Sequence, residues 1–138
     1  MLKLAIKPGE KIYIGRSTLL IRADTTVTVY IDGDQPVLKD REAIDPQTVA
    51  TPVDQLHLLL QDMYLHGQAT QHMVRYRELT QKVAVQSTEC ANLVKTIERW
   101  LIEDNHYMAI RAVARFAQQH QRAGSMNIVA EEIDRGDL

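Results

Sequence analysis

Lys3, Lys7, Lys11, Arg16 and Arg22 crowd the first 22 residues of this sequence, where Glu10 is the one acid. Cations at that density attract phosphate, because neutralising a polyanion releases its bound counterions. On a strand they have a second use, since lysines discourage edge-to-edge pairing. The far end is opposite in sign: Glu131, Glu132, Asp134 and Asp137 stand against Arg135 alone. The two ends therefore face different partners, or each other. Other reactive types form no constellation. His66 and His72 are six apart across Gly67, whereas a metal pair on one helix wants three or four, so His57, His66, His72, His106 and His120 read as polar surface residues. Cys90 falls on an inward helical stripe and reads as a structural thiol. Glu78 with Lys82, and Glu98 with Arg99, read as solvated helix faces. The six glycines never gather into a phosphate-cradling run. These residues imply a binding protein rather than an enzyme, with no catalytic residues, no metal and no cofactor.

The elements that position those cations follow from periodicity. Leu2, Leu4 and Ile6 alternate with Lys3, Ala5 and Lys7, so a first strand turns its lysines outward. Pro8-Gly9 fits the centre of a type II turn and reads as a hairpin signal. Ile12 and Ile14 continue as a second strand, with Gly15 punctuating it and Arg16 just beyond. Leu19-Leu20-Ile21 is a third apolar run. Val27, Val29 and Ile31 alternate with Thr28 and Tyr30 in a fourth strand. Asp32-Gly33 is a turn, and Val37-Leu38 is a short fifth strand kept near an edge by Pro36.

Beyond Asp45-Pro46 the period becomes helical. Thr51-Pro52-Val53-Asp54 starts a helix, with Thr51 as N-cap and Pro52 at the first position, and Gly67 ends it. A second helix covers about 69–85, with Met73, Tyr76, Leu79 and Val83 inward. A third runs from the cap Ser87 to Ile102 and carries Cys90, Leu93, Val94, Ile97, Trp100 and Leu101 on one face. A fourth follows Asp104-Asn105 over about 106–122, ending at Gly124-Ser125. The fold class is α+β: an N-terminal antiparallel β unit of about four to five strands over 1–45, then a bundle of about four helices over 51–123. Residues 124–138 form an acidic, flexible tail. A β unit this small must pack on the helices or pair with a second copy.

Length and composition bound the rest. The 138 residues suffice for one domain, or two small units sharing a core. A single cysteine allows no internal disulfide. Met1–Ile6 is too short and too charged for a signal peptide, and no apolar run is long enough to span a membrane. A cytoplasmic location is the expectation by elimination.

Two resemblances give this plan a role. Met1-Leu2-Lys3-Leu4-Ala5-Ile6-Lys7-Pro8-Gly9-Glu10, with Ile14-Gly15 after it, resembles the start of the CsrA family of small translational regulators. Val37-Leu38-Lys39-Asp40-Arg41-Glu42-Ala43-Ile44 is similar to that family's last strand. The resemblance implies a CsrA-like β unit, a strand-exchanged dimer in that family, that binds RNA with its first and last strands. It would make Leu4, Lys7 and Arg41 RNA contacts. Ile6 departs from the pattern, since the family has arginine there.

Over its length to residue 123 the chain also resembles the flagellum biosynthesis repressor family FlbT. Leu4-x-x-Lys7-Pro8-Gly9-Glu10-Lys11, Val37-Leu38, Thr51-Pro52, Met63-Tyr64-Leu65 and Tyr107-Met108-Ala109-Ile110-Arg111 carry that likeness. It implies post-transcriptional control of flagellin through the 5′ untranslated region of its mRNA, by degradation or blocked translation. Lys39-Asp40 can replace Arg41-Glu42 as the basic-acidic pair, so either Lys39 or Arg41 is the basic contact. The expected RNA-binding set is Leu4, Lys7, Lys11, Arg16, Lys39 and Arg41, with Pro8 and Gly9 setting turn geometry and Tyr13 a stacking candidate. The expected partner is the flagellin mRNA leader, with a homodimer through the β unit as one assembly. The rival reading is a chaperone-like protein whose helices hold flagellin or another flagellar protein.

Overall fold

The computed structural model describes residues 1–67 and 69–133. Five strands come first: β1 (Leu2–Ile6), β2 (Lys11–Ile14), β3 (Ser17–Leu20), β4 (Val27–Ile31) and β5 (Val37–Lys39). Four α-helices follow: α1 (Pro52–His66), α2 (Met73–Ala84), α3 (Thr88–Ile102) and α4 (His106–Ile133). The α+β plan is the one the periodicities describe.

The strands form two antiparallel sheets, β1-β4 and β3-β2-β5. Lys7-Pro8-Gly9-Glu10 is a true tight turn: Gly9 sits at φ 82° and the Glu10 amide donates to the Lys7 carbonyl at 3.1 Å. Glu10 also closes it from below, its Oε1 accepting from the Lys7 amide at 2.7 Å. The turn is not a hairpin, however. β1 leaves it to pair with β4 (Leu4 opposite Val29), while β2 pairs with β3 and β5. It is a corner between sheets, and the hairpin signal is corrected to that extent. A type II turn fixes only four residues of direction; which strand pairs next depends on residues far along the chain.

Alternation decides what each face touches. Leu4, Ile6 and Ile12 are buried in a small β core, with Ile14, Val27, Val29, Ile31 and Val37 packed around them. The opposite face of the β3-β2-β5 sheet presents Tyr13 and Leu38, paired across the strands, to the helices. Leu38 has no exposed surface and belongs to the same cluster as Leu56, Leu60, Ile97, Ile110 and Val113. One sheet therefore has two dry faces, and the β unit is held by the bundle.

The helix ends follow their local chemistry. Thr51 and Asp54 form a capping box, Pro52 occupies the first turn and Gly67 closes α1 at φ 67°. Ser87 caps α3 through the Cys90 amide at 3.0 Å, and the Asn105 side chain accepts from Met108 at 3.1 Å to start α4. Three details differ from the periodic reading. Residues Ala69–His72 form a 3-10 turn before α2, which leaves Met73 37% exposed. Trp100 is half-buried rather than enclosed, because it lies at the margin of the α3–α4 seam. Helix α4 runs past Gly124-Ser125 to Ile133, since one internal glycine costs a helix only about 1 kcal/mol. The end of the expected tail, 134–138, lies outside the described residues.

Candidate nucleic-acid interface

The cations of the β unit separate into three environments. Lys3 and Lys7 occupy the outward face of β1 and are exposed, while Leu4 between them is 3% exposed and holds the strand to its core. Lys11 is drawn toward acids: its Nζ lies 3.7 Å from Asp45 Oδ2, and its amide donates to Asp40 Oδ1 at 3.0 Å. It lines a cleft with Asp40, Asp45 and Asp54, which offsets its charge. Arg16 is exposed in the β2–β3 turn. Pro8 and Gly9 stand at the corner described above.

Lys39 and Arg41 are brought together with residues that come much later. A 3-10 turn, Asp40–Glu42, follows β5 directly and rests on α4. There Lys39 and Arg41 line a cleft of about 370 Å³ with Arg111, Arg115 and Gln118 of α4. Arg111 and Arg115 are four apart, one helical turn, so both point the same way. Gln118 Nε2 donates to the Arg41 carbonyl at 3.0 Å and ties the turn to the helix. A neighbouring cleft of about 390 Å³ is lined by Lys3, Lys39, Glu42, Tyr64 and Tyr107. Lys39 and Glu42 belong to both, so the basic residues form one track: Lys3, Lys39, Arg41, Arg111, Arg115.

Glu42 is the acid lining this track, and its carboxylate is already engaged. Its side chain is 12% exposed, Oε1 accepts from the Lys39 amide at 3.0 Å, and Oε2 accepts from the Tyr107 hydroxyl. Arg111 Nε is 4.0 Å from Oε2, and the Arg111 guanidinium lies 5.9 Å from the Tyr107 ring centre. Burial and the Glu42 contact push the Tyr107 phenol up to about 12, so it stays a neutral donor. The arrangement leaves Lys39, Arg41 and Arg115 facing a polar cleft whose own acid is engaged, while Arg41 also borders the cleft of Asp40 and Asp45 and Arg115 the groove that holds Glu89. Chemically it can hold phosphates.

Several expectations are redirected. Tyr13 is half-buried against the helical core, because it lies on the inward face of the central strand, and cannot offer an open ring. The exposed ring is Tyr30, 61% accessible, with Lys3 Nζ at 6.0 Å from its centre. His57 is 4% exposed rather than a surface residue, and its Nε2 lies 2.9 Å from the Glu42 carbonyl. Among the described residues no three metal-binding side chains cluster. Arg111 and Arg115 escaped the sequence reading, since nothing in their own helix reports that the turn after β5 packs beside them. Cys90 is buried.

A second feature adjoins the track and shares Arg111 and Arg115 with it. A groove of about 590 Å³ runs between α3 and α4, lined by Leu93, Trp100, Met108, Ala112 and Phe116.

Comparison with known proteins places the chain in a family. The model of the family described as "Flagellar protein FlbT" matches residues 2–122. A probable flagellum biosynthesis repressor protein FlbT of Mesorhizobium japonicum is 31% identical over 126 residues, covering 88% of this chain and 84% of that protein. One of Rhodopseudomonas palustris, bearing the same description, is 28% identical over 110 residues, covering 80% and 86%. No solved structure matches the chain.

Proposed function

Since the chain belongs to the flagellar protein FlbT family, whose named relatives are repressors and not enzymes, we propose that it represses flagellin synthesis after transcription. It would act in the cytoplasm on the 5′ untranslated region of flagellin mRNA, directly or within a complex, and favour decay of the message or block its translation. The basic track from Lys3 through Lys39 and Arg41 to Arg111 and Arg115 carries this reading. A row of cations beside one internally satisfied acid suits a polyanionic backbone better than a small acid or a peptide. Lys7, on the same outward face of β1 as Lys3, extends the row.

The test is a titration of flagellin leader RNA at several salt concentrations. Each neutralised phosphate of a single strand contributes about 0.7 to the slope of log affinity against log salt, so a slope of roughly −3 to −4 is expected. Lys39→Ala and Arg115→Ala should each flatten it by about 0.7. A wild-type protein that forms no salt-sensitive complex with this RNA would defeat direct contact.

The α3–α4 groove with Trp100, Met108 and Phe116 favours a second reading, in which flagellin or another flagellar protein is the ligand. Capture of purified flagellin that survives RNase and is lost in Trp100→Ala would support it.

A further inference from the structure

The outward face of the β1-β4 sheet has a composition that phosphate attraction does not explain. Register puts Lys3 opposite Tyr30 and Ala5 opposite Thr28, with Lys7 just past the end of β1. Every residue of that set is exposed. The protein's other aromatic rings are buried or partly buried against the helical core: Tyr76 within it, and Tyr13, Tyr64, Trp100, Tyr107 and Phe116 packed against it. Tyr30 joins neither core and is 61% exposed. Its neighbours on that face are Thr28 and, across the pair, Lys3, whose Nζ lies 6.0 Å from the ring centre; the rest of the ring is exposed to a flat partner.

A cross-strand Lys–Tyr pair can be simple sheet stabilisation, with the lysine stem lying on the ring. Two observations point further. Lys3 lines the cleft it shares with Lys39, so the cation at the ring is also the near end of the basic track. And the paired residues of that face, Lys3, Ala5, Thr28 and Tyr30, include no carboxylate; the acid at its border is Asp32, one residue past β4, balanced by Lys7, one residue past β1. A strand whose phosphates lie along Lys3 and Lys39 would bring an unpaired base over Tyr30. Open aromatic rings on sheets are a recurrent means of holding single-stranded RNA.

We propose that Tyr30 is a stacking platform for one unpaired base of a single-stranded RNA, with Lys3 gripping the adjoining backbone. This rests on the RNA reading above and adds a base contact to it. It also separates two labours: the track supplies charge, and the β1-β4 face senses whether the bases are free.

The test compares an adenosine decamer with a decamer of the same ribose-phosphate backbone lacking bases, at fixed low salt. Wild type should bind the first more tightly by roughly 5- to 100-fold, the range that one stacked base supplies. Tyr30→Phe keeps a ring and should keep that preference. Tyr30→Thr keeps a strand-former without the ring and should bind both decamers alike, as weakly as wild type binds the abasic one. Thermal melts of both variants establish that the strand still forms. If Tyr30→Thr is folded and retains the wild-type preference, or if wild type shows none while still binding leader RNA, the platform is refuted and the RNA reading survives. If wild type binds neither decamer nor the leader, both fall together.

Discussion

His57 reaches out of α1 to the carbonyl oxygen of Glu42, and Gln61, one turn on, brackets Ile44 from both sides. Its Oε1 accepts from the Ile44 amide at 2.9 Å and its Nε2 donates to the Ile44 carbonyl at 3.1 Å. A carbonyl can only accept, so the His57 ring carries its proton on Nε2. These two buried side chains pin the segment that carries Lys39 and Arg41. Burial holds the His57 pKa below its ordinary 6.5, the Glu42 contact opposing only in part. The unfolded chain therefore binds a proton before the folded one does, and stability is lost as pH falls below that ordinary value. Melting temperatures measured from neutral to mildly acidic pH should drop for wild type. His57→Gln, which keeps a donor within reach and cannot be protonated, should drop less over the same window; equal slopes would remove His57 as the cause. The sequence hides this role. A histidine between Leu56 and Leu59 on an amphipathic helix sits near the edge of the apolar stripe, and only its partner, far away in sequence, decides on which side it falls.

At the scale of elements, the signals that proved readable are those closed within a few residues. The Thr51 cap, the Gly67 stop and the Ser87 cap each involve groups three or four positions apart, so residue types alone disclose them. Thr51→Ala removes one half of the capping box, the bond from the Asp54 amide to Thr51 Oγ1, and leaves the other, since Asp54 Oδ2 accepts from a backbone amide that alanine keeps. The expected loss is about 0.5–2 kcal/mol, read as a shift in the denaturant midpoint with an unchanged slope. The corner at Pro8-Gly9 shows the limit of local signals. Its turn type was legible, yet the partner of β1 was not, because the choice between β2 and β4 depends on which apolar faces meet once the helices are in place.

Across the whole molecule, the β unit and the bundle share one dry seam at Tyr13 and Leu38. Leu38→Ala should cost about 2–5 kcal/mol, the range for a fully buried leucine. It should also weaken RNA binding, because Lys39 and Arg41 are held against α4 by the same seam; a variant that is destabilised yet binds RNA with undiminished affinity would show the track to be independent of it. The proposed binding residues were only half legible for this reason. Lys3, Lys7, Lys39 and Arg41 announce themselves by charge on or next to strands. Arg111, Arg115 and Tyr30 acquire meaning only from packing across dozens of residues.

The two-sheet pairing also orders events in time. β2 and β3 are joined by a tight turn and can zip at once, but β1 must wait for β4, and β2's other edge must wait for β5. Closing those longer loops is slow relative to hairpin formation. Contact order thus predicts that the lysine-bearing strand is among the last parts of the β unit to find its seat. Until β4 is made, β1 has no partner within its own chain.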